Sequence, residues 1–236
     1  MENLHALVLA AGKGRRMQSE IHKHFLMYRG EALFLKSVRA FLACGIPVTV
    51  VTGEEDIREV RRLLSEAGLP GTEGSEKNGC PEVFVAAGGA QRYDSSYRGL
   101  LSIEERGGTE IVLIHDAARP FVTEEIIGSA VESVRRFGSG VAAVPSKDTV
   151  KIADEQGFVI ETPKRQGVYI VQTPQAFYFR EILAAYRRMF GSGEDFSGIT
   201  DDASVMEQYG TGPVRLSPGN YANIKITTPE DLKFLG

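Results

Sequence analysis

The chain has 236 residues, 42% of them hydrophobic and 25% charged, a balance that suits a folded domain with a sizeable core and excludes disordered and fibrous classes. Its 27 Lys and Arg stand against 31 Asp and Glu, and a net charge of −4 gives no support to non-specific nucleic-acid or membrane binding. Any anion site must therefore be built from locally placed cations.

Short apolar runs alternate with amphipathic stretches. In chain order the pattern predicts a strand at Ala6–Leu9, a helix at Ala32–Ala43, a strand at Val48–Thr52 and a helix at Asp56–Glu66 stopped by Gly68. A strand at Val83–Ala86, a helix at Arg92–Glu105, a strand at Ile111–His115 and a helix at Glu124–Arg136 follow. Strands at Gly140–Val144 and Tyr169–Gln172 and a helix at Phe179–Met189 complete the series. Several strands are continuous Val/Ile/Leu runs, as expected where both faces are buried. The alternation predicts a Rossmann-like α/β fold, a mostly parallel sheet flanked by helices.

One segment departs from this rhythm. Asp148–Ala153 and Phe158–Thr162 read as two short strands joined by a turn at Asp154-Glu155-Gln156-Gly157. Such a hairpin has few places to bury its faces within one subunit. It reads as a projecting arm that meets another subunit, or otherwise as a solvated surface hairpin.

The first apolar run, Leu4 to Ala11, lacks the cleavage pattern of a signal peptide, and no stretch approaches the ~18 apolar residues of a membrane span. Cys44 lies in an apolar helical pattern and reads as core, and Cys80 lies in a Gly/Pro-rich loop, without metal or disulfide spacing. A reducing cytoplasm is the expected compartment.

Open α/β sheets bind ligands at the carboxyl ends of their strands, where the unusual residues of this chain fall. The first strand runs into Leu9-Ala10-Ala11-Gly12-Lys13-Gly14-Arg15-Arg16-Met17, with Lys23 shortly after. Small residues let backbone N–H groups approach phosphate oxygens, and the cations add charge-assisted contacts. Met17 occupies the third-glycine position of a dinucleotide fingerprint, and the Walker A spacing is absent, which disfavours both of those loops.

His115-Asp116-Ala117-Ala118-Arg119-Pro120 follows another strand. Asp116 is placed to hold magnesium or a ribose hydroxyl, and Arg119 to neutralise a phosphate; the structural alternative makes Asp116 a turn cap. His115 reads as a packed residue rather than an acid–base group. Gly88-Gly89-Ala90-Gln91-Arg92-Tyr93-Asp94-Ser95 forms a strand–helix loop in which Ser95 or the loop N–H groups can meet a base edge. Gln172-Thr173-Pro174-Gln175, Thr200-Asp201-Asp202-Ala203-Ser204 and Asn223-Ile224-Lys225 come late. Thr200 followed by acidic residues is also a helix N-cap signature. Lys225 reads as part of a strand, aimed away from Ile224 and Ile226.

Together these motifs resemble the 2-C-methyl-D-erythritol 4-phosphate cytidylyltransferases, in register and nearly end to end. The resemblance implies one nucleotidyltransferase domain over residues 1–236 with 147–166 as an inserted β-arm. It implies transfer of CMP from CTP to the polyol phosphate by in-line attack on the α-phosphate, with Mg2+ as the divalent cation. Arg16 and Lys23 would stabilise the pentavalent transition state, with Lys225 assisting at the α-phosphate. CTP would be held by Ala10, Ala11, Gly12, Lys13, Gly14, Gly89, Ala90, Ser95 and Asp116. The acceptor would meet Asp116, Arg119, Thr173 and Thr200, and Asp116 would also serve the metal. Family members are homodimers, and Thr149 and Arg165 would reach the partner's substrate.

The chain departs from the family pattern at three positions. His22 replaces the proline that often precedes the transition-state lysine. Ala90 stands where an acidic residue usually follows the double glycine, and Tyr169 replaces a Trp. Two alternatives stay open from the sequence. Ribitol-phosphate cytidylyltransferases share the fold and mechanism, but tend to have Gly at the position of Ala11 and Val at that of Ala118. A nucleotide-binding regulatory protein that has lost its chemistry would not require Arg16, Lys23, Asp116 and Lys225 together.

Overall fold

The computed structural model describes residues 3–11, 27–28, 30–69, 82–227 and 231. Its strands are β1 (Leu4–Leu9), β2 (Met27–Tyr28), β3 (Glu31–Ala32), β4 (Val48–Thr52), β5 (Val83–Ala87), β6 (Ile111–Asp116), β7 (Ser139–Pro145), β8 (Ile152–Ala153), β9 (Val159–Glu161), β10 (Tyr169–Tyr178) and β11 (Leu216–Pro218). Its helices are α1 (Leu33–Ala43), α2 (Ile57–Glu66), α3 (Arg92–Glu105), α4 (Glu124–Phe137), α5 (Phe179–Ser192) and α6 (Asp202–Tyr209).

Seven strands form one sheet in the order β11-β7-β10-β6-β1-β4-β5. β10 is antiparallel to both of its neighbours, while the other pairs are parallel. β1 shows why this sequence makes a central strand. Ala6 and Val8 face a core built with α1, α2 and α4, and Leu7 faces one built with α3, α5 and α6. Each helix supplies an apolar stripe to one of these layers, such as Val60 and Leu64 of α2 or Ile182, Leu183 and Tyr186 of α5.

The predicted core elements recur with ends shifted by up to about three residues, and four features differ. β10 continues past Gln172 to Tyr178, with its register against β7 shifting between Val171 and Gln175; Pro174 interrupts the apolar pattern there. α6 and the edge strand β11 go beyond the prediction, α6 being short and β11 a Leu-Ser-Pro triplet. Lys225 does not lie in a strand: Asn223 is a bend and 224–227 carry no regular structure, outside the sheet. Cys44 caps the end of α1 half-buried rather than inside the core, and Cys80 lies outside the described residues.

The hairpin is present as β8 and β9, with its turn closed by Asp154, whose carboxylate accepts from the N–H groups of Gln156 and Phe158. It leaves the C-terminal end of β7 and returns into β10, where Tyr169 pairs with Pro145. Its Phe158 and Ile160 are each 68% exposed.

Candidate active site

The C-terminal ends of β1 and β6 lie side by side, with Leu9 in register with Asp116. Asp116 is the hub. Its Oδ1 lies 3.1 Å from Arg92 Nε and its Oδ2 lies 2.6 Å from Lys225 Nζ. Burial alone would push the carboxyl upward. Arg92, then Lys225 and Arg119, more than offset this and hold it well below the usual carboxylate range, so Asp116 is ionised.

Behind Arg92 stands a second carboxylate. Arg92 Nη2 is 2.7 Å from Oδ2 of the fully buried Asp202, and the Tyr186 hydroxyl donates to Asp202 Oδ1 at 2.7 Å. Burial opposes the Arg92 charge, but Asp202 and Asp116 raise it well above its ordinary range. Burial, then Asp202, raises the Tyr186 phenol likewise.

Lys225 is placed without a strand. The buried Asn223 donates to the Thr173 carbonyl at 2.9 Å, and its own carbonyl accepts from Arg119 Nη1 at 2.8 Å. The Ile226 N–H donates to the Ala118 carbonyl at 2.8 Å. The late segment is thus strapped both to β10 and to the turn after β6. Alternation survives in the burial, with Ile226 inside and the Lys225 side chain 41% exposed.

His115 is a packing residue. Thr173 Oγ1 accepts from the Asp116 N–H and lies 3.1 Å from His115 Nδ1, while His115 Nε2 meets the Arg119 carbonyl at 3.1 Å. A carbonyl can only accept, so Nε2 carries the proton and Nδ1 takes that of Thr173. Burial pushes the imidazole down to about 4, so it is neutral near pH 7. The Thr173 hydroxyl is accordingly engaged in holding His115 and Asp116. Two glutamines strap the late segments to β10: Gln172 pairs with the Asn220 backbone, and Gln175 bonds Asp201 and the Ala203 N–H.

At the end of β5 the double glycine is required by close approach. A Cβ on Gly88 would sit 2.8 Å from Ala11 Cβ and Ser95 Oγ, and one on Gly89 would sit 2.3 Å from Asp94 Cβ. Ser95 is buried; its hydroxyl accepts from the Gly89 N–H and donates to the Gln91 carbonyl, both at 3.1 Å. It therefore shapes the loop, whereas Ala90 beside it is exposed. Ala10 is buried and Ala11 half-buried at the end of β1, Ala10 through its N–H to the Val51 carbonyl.

A cleft of about 400 Å³ opens beside Lys225, lined by Arg119, Lys147, Asp148, Gln172, Tyr221 and Ile224 among others. Arg119 faces it half-buried, its Nη2 on the Val171 carbonyl at 3.3 Å. Lys147 Nζ sits 3.6 Å over the Tyr221 ring, whose hydroxyl donates to the Pro145 carbonyl. Thr149 and Arg165 are exposed on the arm's two connections, and Thr200 is exposed just before α6, whose N-cap is Asp201 rather than Thr200. Gly12, Lys13, Gly14, Arg15, Arg16, His22 and Lys23 lie outside the described residues.

Arg92, Asp202 and Lys147 are site residues that the motifs did not single out. A signal existed for Arg92, a cation in the first helical turn after the glycine loop. For a divalent cation, the donor set is the ionised Asp116, and among the described residues no group of three or more His, Cys, Asp or Glu gathers. Mg2+ is commonly held by one or two carboxylates and completed by substrate phosphates and water, so this set fits it. Among the described residues no helix is long and apolar enough to cross a membrane.

A family model described as 2-C-methyl-D-erythritol 4-phosphate cytidylyltransferase matches residues 4–235. Enzymes of that name from Lachnospira eligens and Clostridium botulinum (strain 657) are 39% and 40% identical over 98% and 96% of this chain and 96% and 93% of theirs. The crystal structure of 4-diphosphocytidyl-2C-methyl-D-erythritol synthase from Anaerococcus prevotii superposes with a TM-score of 0.81 at 29% identity, covering 99% of this chain and 96% of that one. The Thermus thermophilus 2-C-methyl-D-erythritol 4-phosphate cytidylyltransferase superposes with a TM-score of 0.72 at 28% identity, covering 100% and 97%. Matched over almost its whole length in sequence and in fold, the chain belongs to the 2-C-methyl-D-erythritol 4-phosphate cytidylyltransferase family.

Proposed function

We propose that the chain transfers the CMP unit of CTP to 2-C-methyl-D-erythritol 4-phosphate, giving 4-diphosphocytidyl-2-C-methyl-D-erythritol and pyrophosphate. The observation that carries this reading is the ionised Asp116 with Lys225, Arg92 and Arg119 around it, at the strand ends of a chain that matches the family from residue 4 to 235. The near full-length match favours the methylerythritol acceptor over ribitol phosphate and over a protein without chemistry.

The acceptor's phosphate oxygen attacks the α-phosphorus in line with the departing pyrophosphate. Catalysis is then a matter of alignment and charge. Lys225 turns from Asp116 to the α-phosphate, and Arg16 and Lys23 stabilise the charge that grows on the pentavalent phosphorus. Ala10 to Gly14, with Gly89, Ala90 and Ser95, form the walls that receive the nucleotide. Arg119 with Thr200 and the cleft cations orient the acceptor, and Thr173 serves them from behind by holding Asp116. Asp116 would hold Mg2+, which would neutralise phosphate charge when bound.

The arm suggests that the active form is a homodimer, with Thr149 and Arg165 of each subunit serving the other's acceptor. The chain acts as a single domain with 147–166 as its inserted arm, in the cytoplasm where CTP is found.

The test is pyrophosphate release from CTP and Mg2+ with either acceptor. Release with methylerythritol phosphate alone is the expected result. Fast release with ribitol phosphate would overturn the substrate while keeping the mechanism. CTP binding without release from either acceptor would favour a regulatory protein.

A further inference from the structure

We propose that Arg92 is a positioning residue for the transfer reaction: locked by Asp202 and Tyr186, it holds the Asp116 carboxylate in its working orientation. The inference rests on the cytidylyltransfer reading above.

The contacts form one line through the protein. The Tyr186 hydroxyl binds Asp202 Oδ1 at 2.7 Å, Asp202 Oδ2 binds Arg92 Nη2 at 2.7 Å, and Arg92 Nε binds Asp116 Oδ1 at 3.1 Å. Lys225 stands at the far end, 2.6 Å from Asp116 Oδ2. The line joins α5, α6, α3 and β6, four elements that packing already fixes.

Stability alone is a weak reason for such a line. A buried ion pair generally does no better than apolar side chains of equal volume, because both charges lose their water. Asp202 has no exposed surface at all, and it sits where Ala203, Val205 and Met206 pack an apolar layer. What the pair adds is geometry. The ion pair with Asp202, 2.7 Å at Nη2, holds the planar guanidinium in place, and its Nε donates the directed hydrogen bond. It points at Asp116.

The two cations on Asp116 differ in kind. Lys225 is 41% exposed on a segment without regular structure, and a triphosphate competes for its ammonium; the Arg92 side chain is 26% exposed and ion-paired on both sides. When Lys225 turns to phosphate, Arg92 remains. Asp116 then keeps Oδ1 tied and presents Oδ2 in a defined direction.

The test compares three variants with the wild type at saturating CTP and acceptor. Arg92→Ala should lower kcat by ~100-fold with the KM for CTP within about threefold, and tens of millimolar guanidinium should restore at least about tenfold of the loss, whereas equal sodium chloride should not. Arg92→Lys should fall between the two, keeping charge without the fork. Because Arg92→Ala leaves Asp202 buried and unpaired and can impair folding, Arg92→Met with Asp202→Asn removes both charges together. That double variant should melt near the wild type and still lose ~100-fold in kcat. Turnover of the folded double variant within threefold of wild type would overturn the inference, as would an Arg92→Ala loss that guanidinium leaves untouched. Wild-type protein that releases no pyrophosphate would instead overturn the proposed function, and the inference with it.

Discussion

The two ends of the sheet carry similar residues to different effect. At the N-terminal end of β1, His5 Nε2 lies 2.8 Å from Thr49 Oγ1, which also accepts from Arg106 Nη2 at 2.9 Å. At the C-terminal end of β6, His115 lies 3.1 Å from Thr173 Oγ1 and 3.1 Å from the Arg119 backbone. In both places burial leads in depressing the imidazole, to about 3 for His5 and about 4 for His115. A buried His–Thr pair beside an arginine is therefore a structural device that the fold uses twice. What the C-terminal end adds, among the described residues, is a pair of buried carboxylates joined through one arginine, a lysine on the late strap and a cleft of about 400 Å³. The chemistry belongs to those additions.

The sharpest way to break this comparison is to neutralise the hub. Asp116→Asn keeps the shape but leaves Arg92 and Lys225 without their shared anion, so kcat should fall by ~10³-fold, about 4 kcal/mol in the barrier. Steady-state kinetics beside a melting curve would check it. A variant that kept a tenth of wild-type turnover would show that Asp116 is no more than a packing group, like the histidine beside it.

The second prediction concerns the arm, which leaves the C-terminal end of the sheet and has no counterpart at the other among the described residues. Phe158→Asp with Ile160→Asp alters two side chains that are 68% exposed, so the subunit fold should lose no more than about 0.5 kcal/mol per site. If a second copy covers those side chains, the variant should run as a monomer in sedimentation velocity where the wild type runs as a dimer. Turnover should drop with it, by ~10–100-fold, as Thr149 and Arg165 leave the neighbouring cleft. A wild type that is itself monomeric at assay concentration would return the arm to a solvated hairpin.

Much of this contrast could be read in the sequence, and the unread parts have physical reasons. Continuous apolar runs such as Val48–Thr52 and Ile111–Ile114 declare doubly buried strands, and β4 begins and ends as predicted. β10 was readable only to Gln172 because Pro174 interrupts the pattern, and β11 because Leu-Ser-Pro has no period. Lys225 reads as a strand residue because Ile-Lys-Ile alternates, yet its segment alternates while strapped to β10 by Asn223 and to the turn after β6 by Ile226. Asp116 and Arg119 stood out as unusual residues after a strand end, and Lys225 as a cation inside an alternating apolar run. Asp202 did not, since an acid in the first turn of a helix is commonplace, and Arg92's place in a first turn gave only a weak signal; only the fold brings the carboxylates of β6 and α6 against one arginine of α3.

The smallest effect belongs to the N-terminal end, and it appears in stability alone. His5 is neutral in the folded chain, with its pKa lowered to about 3 by burial and then by Arg106, against 6.5 in the unfolded chain. Between those values the unfolded state binds one more proton, so stability falls as the pH drops from 6.5 towards 3 and is unaffected above 6.5. At pH 5 the loss is about 2 kcal/mol from this group. His5→Gln keeps a polar group beside Thr49 that does not titrate, and its urea midpoint should decline less steeply than that of wild type from pH 6.5 to 5. Turnover at neutral pH should not change, because no charge near Asp116 has moved. Equal acid sensitivity in the two proteins would mean that His5 opens to water more easily than its packing against Phe84 and Thr49 implies.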